Sequence, residues 1–223
     1  MMQSWASSAT KVRERMTNTT TQPDNFWNTR FSQPGYLFGK EPARFLLDYA
    51  DFLTPGARTL AVADGEGRNS VYLAGLGLDV VAMDSSDVAI EKARLLARDR
   101  GVRVDFRLAD IAEWPWEEAA YDLVVAIFIQ FMGPEPRARV FEGMKRTLRP
   151  GGTLMLHGYT VEQLAFGTGG PPFVENLYTV QMLKDAFSDM EILHLKAYER
   201  EVDEGRGHSG RSALVDLIVR KAD

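Results

Sequence analysis

The feature that most constrains the fold is a regular alternation of strand-like and helix-like segments that begins at Thr59. Short apolar runs alternate with segments whose apolar residues recur at helical spacing. This alternation predicts a parallel sheet covered by helices on both faces, because parallel neighbours need a crossover connection. The predicted strands are Thr59–Ala63, Asp79–Met83, Arg103–Leu108, Tyr121–Phe128 and Thr153–His157, and the predicted helices are Asn69–Leu76, Ser86–Arg100 and Glu135–Leu148.

The C-terminal part of the chain departs from this alternation. A predicted helix, Thr179–Phe187, is followed by two strand-like runs, Met190–Tyr198 and Ser212–Arg220, with no helix between them. Successive strands of this kind pair antiparallel. We therefore predict an α/β three-layer sandwich with a mostly parallel, seven-stranded sheet and one antiparallel C-terminal strand.

Composition excludes several classes of function. The 223 residues contain no Cys, so disulfides, thiolate metal sites and cysteine nucleophiles are excluded. His157, His194 and His208 show no ligand spacing, so we expect no metal site. The net charge is −5 and no basic stripe is present, so we expect no nucleic-acid partner. No apolar run reaches the roughly 20 residues of a membrane span, and we expect no membrane partner and a cytoplasmic protein.

The turn after the first predicted strand carries two glycines. Asp64-Gly65-Glu66-Gly67 leads directly into a predicted helix, and its glycines permit positive φ and close backbone approach. The N-terminus of that helix offers free N–H groups to an anion. The second predicted strand ends at Asp84, where a carboxylate can accept both hydroxyls of a ribose. The alternative is that Asp84 only caps the helix that begins near Ser86.

The third predicted strand is followed by Asp110-Ile111, which could accept from an adenine amine and pack on the ring. Two cofactors fit these signals. The dinucleotide-binding fingerprint has a third glycine or alanine where this chain has Ser70, so the match to a dinucleotide site is imperfect. The Tyr and Lys pair of a short-chain hydride-transfer enzyme occurs only at Tyr36 and Lys40, upstream of the glycines. S-adenosylmethionine needs no third glycine, because it has no pyrophosphate.

The segments LAVADGEGRN, VVAMDSS, RLADI, YDLVVAIF and LRPGG follow one another in this order. Together they resemble the class I S-adenosylmethionine-dependent methyltransferases, from Phe26 to Lys221. The resemblance implies a Rossmann-like fold and methyl transfer from S-adenosylmethionine. FWNTRF and YLFGKEPARFL are similar to the tellurite-resistance and thiopurine-type branch, in which the N-terminal segment closes over the cofactor. The acceptor implied is a small molecule such as a thiol, a selenol or a tellurium oxyanion.

The resemblance also implies a domain plan. Residues 1–23 are expected to be a flexible tail, and residues 24–223 a single methyltransferase domain, of which 24–56 cover the cofactor and substrate. The implied cofactor-binding residues are Trp27, Ala63, Asp64, Gly65, Gly67, Asn69, Asp84, Ser85, Asp110, Ile111 and Phe128. No catalytic residue is identified, but segments at the carboxyl ends of the strands supply four substrate-pocket candidates, Gln130, Tyr159, His208 and Arg211.

Two alanines depart from the family pattern. Ala61 stands where the family usually has an acid that helps to hold the ammonium group of the cofactor, and Ala63 stands where it has a glycine. We expect the ammonium to rely on backbone carbonyls near Ala63, on water or on Asp64. Ala63 is expected to cost little if its φ is negative. Because of Ala61, a binding or regulatory protein without turnover remains an alternative. Because of Ser70, which follows Gly65 and Gly67, a nicotinamide-dependent oxidoreductase remains a second alternative. A monomer and a homodimer are both compatible with the sequence.

Overall fold

A computed structural model describes residues 26–223, which share one seven-stranded sheet in the order β3-β2-β1-β4-β5-β7-β6. The predicted tail, residues 1–23, lies outside the described residues. The strands are β1 Arg58–Val62, β2 Asp79–Asp84, β3 Asp105–Leu108, β4 Tyr121–Ile127, β5 Leu148–Tyr159, β6 Glu191–Asp203 and β7 Ser209–Arg220. The helices are α1 Phe26–Phe31, α2 Arg44–Asp48, α3 Arg68–Gly75, α4 Asp87–Arg100, α5 Pro134–Thr147, α6 Gln163–Phe166 and α7 Val180–Ala186, with 3-10 turns at Ala50–Phe52 and Val174–Asn176.

The sheet has the predicted directions. Strands β1 to β5 run parallel to their neighbours, and β7 lies antiparallel between β5 and β6. The predicted fold class is therefore confirmed. Buried apolar side chains form one cluster on each face of the sheet, and the central strands contribute to both clusters, as expected for a sheet covered on both faces.

The C-terminal hairpin is longer than predicted. Strands β6 and β7 pair from Glu191 with Arg220 out to Asp203 with Ser209, so that only residues 204–208 remain as the tip. The polar stretch EREVDEGRGHSGR hides this extension because most of its side chains face solvent, and an exposed edge strand carries no apolar alternation. The long hairpin carries its tip back over the carboxyl ends of the parallel strands.

Gly67 ends the loop between β1 and α3 and has a φ of 89°. A Cβ built on Gly67 would lie 2.7 Å from Ala93 Cβ and 2.9 Å from Ala93 Cα. Helix α4 therefore passes directly against the loop. The glycine is required by this packing as well as by its left-handed backbone.

Gly67→Ala should lower the free energy of unfolding by about 3 kcal/mol, from left-handed strain plus a steric clash. Gly101→Ala is the matched control, because Gly101 has a φ of 67° and no atom lies within 4 Å of the position that its Cβ would occupy. Its cost should be about 1 kcal/mol, from strain alone. Urea unfolding of both variants measures the difference, and equal losses would contradict the packing role of Gly67.

Candidate functional site

A cavity of about 860 Å³ opens at the carboxyl ends of β1 to β4. Its volume lies in the upper part of the roughly 300–1,000 Å³ range of small-molecule sites. The cavity is bordered by the glycine loop, by the ends of β2, β3 and β4, by α1, by the tip of the C-terminal hairpin and by the loop at residues 169–173. All the predicted cofactor-binding residues except Gly67 line it.

Ala63 leaves β1 with a φ of 48°. The condition under which Ala63 would cost little, a negative φ, is therefore not met. The chain turns sharply here, because the Asp64 N–H donates to the Met83 carbonyl at 3.0 Å. Ala63 thus adopts the left-handed backbone conformation for which the family uses glycine, at a cost of roughly 1–2 kcal/mol.

Asp64 faces the cavity but is already engaged. Its carboxylate accepts hydrogen bonds from the Ser70 N–H at 3.2 Å and from the Ser70 hydroxyl. Burial raises the pKa of Asp64 to about 6, the bonds from Ser70 oppose this rise, and the nearby Asp84 adds to it. Ser70 uses both of its donors on this carboxylate, so neither remains for a ligand.

Asp84 joins the two loops that border the cavity. One carboxylate oxygen accepts from the Gly65 N–H at 2.9 Å, and the other accepts from the Ser86 N–H at 2.9 Å. Ser86 is the N-cap of α4, because its hydroxyl accepts from the Ala89 N–H at 3.1 Å. Only 7% of Asp84 is exposed, and burial raises its pKa. The carboxylate is fixed at the rim of the cavity, where a backbone hydrogen bond from Ser85 also contributes, and it retains acceptor capacity for a further donor.

Asp110 and Ile111 follow β3 and line the same end of the cavity. One Asp110 oxygen accepts from the Ala112 N–H at 2.8 Å, and the residue is exposed. Ile111 is buried in the core on one side of the sheet. A charged acceptor and an apolar surface therefore stand side by side, as the adenine of a nucleotide requires.

Three residues of the EGRN stretch hold the backbone of the segment at residues 31–43, here called the cover. Glu66 accepts from the Leu37 N–H at 2.6 Å and pairs with Lys92 at 2.9 Å. Arg68 donates to the Phe38 carbonyl at 3.2 Å, and Asn69 accepts from the Ala43 N–H at 2.9 Å. Asn69 thus lines the cavity while its side-chain oxygen holds the cover.

The cover also meets the tip of the C-terminal hairpin. A Cβ on Gly205 would lie 2.5 Å from the Gly39 nitrogen, and one on Gly207 would lie 2.2 Å from the Phe38 ring. Arg206 donates to the Pro34 carbonyl at 2.8 Å. The two segments, which lie near opposite ends of the chain, close over the cavity together.

Aromatic rings form a further part of the cavity wall. The ring of His208 lies 4.4 Å from that of Phe38 and 4.1 Å from that of Phe128, between centroids. Phe128 has a φ of 57°, which is rare for a bulky side chain and marks a strained position at the cavity. Trp27 stacks on Phe31 at 5.5 Å. This part of the cavity suits an apolar, ring-bearing molecule.

His208 is only 7% exposed, its Nδ1 has no hydrogen-bond partner among residues 26–223, and it lines the cavity. Burial lowers its pKa well below the usual value, and the positive charges of Arg68 and Arg30 and the neighbouring His157 lower it further. The imidazole is therefore neutral at pH 7. It can accept a proton only weakly.

The other substrate-pocket candidates have different outcomes. Gln130 lines the cavity, but its amide accepts from the Tyr159 N–H at 2.6 Å and donates to the Tyr159 carbonyl at 2.8 Å, so it holds the backbone. Tyr159 also lines the cavity, and burial raises its pKa. The placement of Arg211 is wrong. It lies outside the cavity lining and pairs with Glu199 at 2.6 Å, because side chains alternate between faces of the lengthened hairpin.

His157, at the carboxyl end of β5, turns to the other face of the sheet. Its Nδ1 lies 2.6 Å from a carboxylate oxygen of Asp216, which also accepts from the Tyr198 hydroxyl at 3.2 Å. The second oxygen of Asp216 accepts from the Tyr49 hydroxyl at 3.2 Å. This buried network fastens the segment after α2 to the sheet.

Sequence reasoning missed several residues of the cavity. Arg30 and Phe38 come from the N-terminal segment, Asn176 from a 3-10 turn, and Gly169 and Gly170 lie close against the ring of Tyr159. The pair of glycines before two prolines was a visible signal of a tight loop, but its position beside the cavity depends on the tertiary fold.

The carboxylates and the guanidinium groups of the cavity come from different elements. Among the described lining residues, the carboxylates all follow β1, β2 or β3 and are Asp64, Asp84, Asp110 and Glu113. The guanidinium groups come from Arg30, Arg68 and Arg139, on helices α1, α3 and α5. Within residues 26–223 no cluster of His and acidic side chains could hold a metal ion, and no helix is long and apolar enough to cross a membrane.

The described residues fit the adenosine part of S-adenosylmethionine. Asp84 retains acceptor capacity at the position expected for a ribose, and Asp110 with Ile111 provides the acceptor and the surface expected for an adenine. The fit to the amino-acid end is weaker near Ala61, which is buried and offers no charge.

Residues 60–152 match the protein family described as "Methyltransferase domain". The "Ubiquinone biosynthesis O-methyltransferase" of Xanthomonas campestris pv. campestris (strain B100) is 34% identical over 123 residues, which are 54% of this chain and 50% of that protein. The "Demethylmenaquinone methyltransferase" of Clavibacter sepedonicus is 32% identical over 148 residues, 65% of this chain and 56% of that protein. The chain thus spans about half the length of these curated relatives.

Among solved structures, TehB from Haemophilus influenzae has a TM-score of 0.66 to this chain at 21% identity, covering 89% of this chain and 66% of that chain. At this identity the likeness concerns the fold. The family match over residues 60–152 agrees with the class that the sequence motifs predict.

Asp84→Ala should weaken S-adenosylmethionine binding by about ten- to a hundredfold, because charge-assisted hydrogen bonds worth about 1.5–3 kcal/mol are lost. Glu66→Ala is the comparison, since its carboxylate holds Leu37 and Lys92. We expect Glu66→Ala to weaken binding far less and to lower the melting temperature instead. Calorimetric titration and thermal unfolding measure both effects, and equal losses of affinity would contradict the role of Asp84.

Asp64 should make stability depend on pH. Its pKa rises from 3.8 to about 6 on folding, so the folded chain holds this proton more tightly, and stability falls as pH rises from about 4 to about 6. Relative to Asp64→Asn, the wild type should lose roughly 1–3 kcal/mol of unfolding free energy over that range, after allowance for screening by water in the cavity. Urea unfolding at about pH 4.5 and 7.5 tests this, and a pH-independent difference would contradict it.

Proposed function

We propose, from the premise that the chain is a class I S-adenosylmethionine-dependent methyltransferase, that it transfers a methyl group to a small apolar acceptor. One observation carries the proposal: a single cavity is lined both by carboxylates that suit a nucleoside and by aromatic rings that suit an apolar acceptor. Its volume of about 860 Å³ favours a cofactor and an acceptor bound side by side.

Different residues of the chain would bind the ribose, the adenine and the amino-acid end of the cofactor. Asp84 would accept from the ribose hydroxyls, Asp110 would accept from the adenine amine, and Ile111 would pack on the ring. The turn at Ala63 and Gly65 would approach the amino-acid end. The bound cofactor supplies a methyl group on a sulfonium, which is already an activated leaving group. The protein then needs chiefly to align the acceptor and to exclude water, which the cover and the hairpin tip favour.

The acceptor end indicates which nucleophiles suit the site. No carboxylate of the described residues lines it, and His208 is a weak base because of its lowered pKa. An acceptor that ionises easily needs no strong base. This favours a thiol, a selenol, a tellurium oxyanion or an acidic phenol over an alcohol or an amine.

The names of the curated relatives support a ring-bearing acceptor. One relative is called a ubiquinone biosynthesis O-methyltransferase and another a demethylmenaquinone methyltransferase. The rings of Phe38, Phe128 and Trp27 offer the flat apolar surfaces that a ring-bearing acceptor would need.

Two alternatives are weighed against this proposal. A binding protein without turnover is motivated by Ala61, which offers no charge to the cofactor's ammonium group. A nicotinamide-dependent oxidoreductase is disfavoured, because the N–H and the hydroxyl of Ser70 both donate to Asp64 and leave no donor for a pyrophosphate.

Methyl transfer from S-adenosylmethionine to thiophenol and to 4-nitrocatechol, followed by mass spectrometry, tests the proposal. We expect methylation of at least one of them. Binding of S-adenosylmethionine with no methylation of either, or of a wider panel of thiols and phenols, would favour the binding protein. Absence of S-adenosylmethionine binding at millimolar concentration would overturn the proposed function.

His208→Gln should lower kcat/KM for catechol, which is protonated at neutral pH, by about tenfold or more, because a proton acceptor is lost. The loss for thiophenol should be smaller, since that acceptor is largely ionised at neutral pH. Arg211→Gln is the control on the same hairpin and should leave both values unchanged. Equal losses with both acceptors would show that His208 acts through packing.

A further inference from the structure

Arg30 is a cavity-lining cation without an anionic partner. Its guanidinium carbon lies 5.4 Å from the ring centroid of Trp27 and 5.8 Å from that of Phe26. Among residues 26–223 it forms no ion pair and no hydrogen bond. The residue is exposed at the edge of the cavity, and partial burial of the guanidinium lowers its pKa. With no partner among the described residues, this guanidinium can pair with an anionic ligand.

The other guanidinium groups of the cavity are occupied. Arg68 donates to Glu204 at 2.8 Å and to the Phe38 carbonyl at 3.2 Å. Arg139 pairs with Glu135 at 2.7 Å, one helical turn earlier. Within the part of the chain that the structure describes, Arg30 is therefore the lining guanidinium that remains available to a ligand.

The helix that carries Arg30 is docked on the predicted cofactor loops. The Ser86 hydroxyl donates to the Asn28 side-chain oxygen at 2.5 Å. The Phe31 ring lies 3.4 Å from the position that a Cβ of Gly65 would occupy. Arg30 thus lies between two contacts with the loops that are joined by Asp84.

We propose that Arg30 binds the carboxylate at the amino-acid end of S-adenosylmethionine, an inference that rests on the proposed function. A guanidinium matches a carboxylate in charge and in geometry. At Ala61 the chain has no acid to pair with the ammonium group of the cofactor. Arg30 would instead pair with the carboxylate at the same end of the cofactor. The cofactor would then fasten α1 over the cavity.

Two ligands that differ only in this carboxylate test the inference. S-adenosylmethionine carries it, and decarboxylated S-adenosylmethionine keeps the ammonium and the sulfonium without it. In calorimetric titration, Arg30→Met should weaken binding of S-adenosylmethionine by about ten- to a hundredfold and change binding of the decarboxylated compound less than about twofold. Arg30→Lys should restore part of the loss. Arg211→Met, at an arginine outside the cavity lining, is the control and should change neither affinity.

Other outcomes overturn the inference. Equal losses with both compounds would mean that Arg30 holds α1 in place by stacking, and no loss with either would remove its ligand role. An acceptor carboxylate is the competing occupant. With S-adenosylhomocysteine bound, weakened binding of 4-mercaptobenzoate but not of thiophenol, at unchanged cofactor affinity, would assign Arg30 to the acceptor.

The failure of this inference is distinguishable from the failure of the proposed function. A wild-type chain that shows the carboxylate-selective loss but methylates no acceptor contradicts turnover and leaves the role of Arg30 intact. A chain that methylates an acceptor and loses nothing on Arg30→Met contradicts the inference alone. A chain that binds neither compound overturns both.

Discussion

The geometry of the cavity depends on one buried carboxylate. Asp84 accepts from the backbone of the glycine loop through Gly65 and from the start of α4 through Ser86. These hydrogen bonds hold together two loops that belong to different strands, and a charge that burial disfavours is kept in place by two N–H groups. The contacts of Asn28 with Ser86 and of Phe31 with Gly65 are then made on a surface whose parts are already fixed.

The glycine loop shows how a family pattern can be kept with different residues. Ala63 adopts the left-handed backbone for which the family uses glycine, and the carboxylate of Asp64 is bonded to Ser70. The loop therefore keeps its shape at a cost in strain. Two acceptor sites of this carboxylate are used within the loop, and the proposed role of Arg30 adds a contact from α1 to the amino-acid end of the cofactor.

Much of the architecture could be predicted because strand order and ligand position follow from local signals. The alternation of apolar runs indicates the parallel strands, and the strand ends identify Asp84 and Asp110. The φ of Ala63 could not be predicted, since alanine itself does not favour that conformation. The placement of Arg211 fails because this residue lies where β7 extends beyond β5 and pairs only with β6, in a polar stretch whose sequence is typical of a loop. The position of Gln130 at the cavity is predictable, but its bonds to the backbone of Tyr159 depend on tertiary packing.

The meeting of the cover with the hairpin tip has a consequence for biosynthesis. Glu204 holds the Arg44 N–H at 3.0 Å and the Arg68 side chain at 2.8 Å, across separations of 160 and 136 residues. Contacts this distant in sequence form only after the loops between them have closed, and they form slowly. A nascent chain that has emerged only as far as β5 already contains the glycine loop and both acids of the nucleoside end. The hairpin tip cannot close over them with the cover until the last strands leave the ribosome.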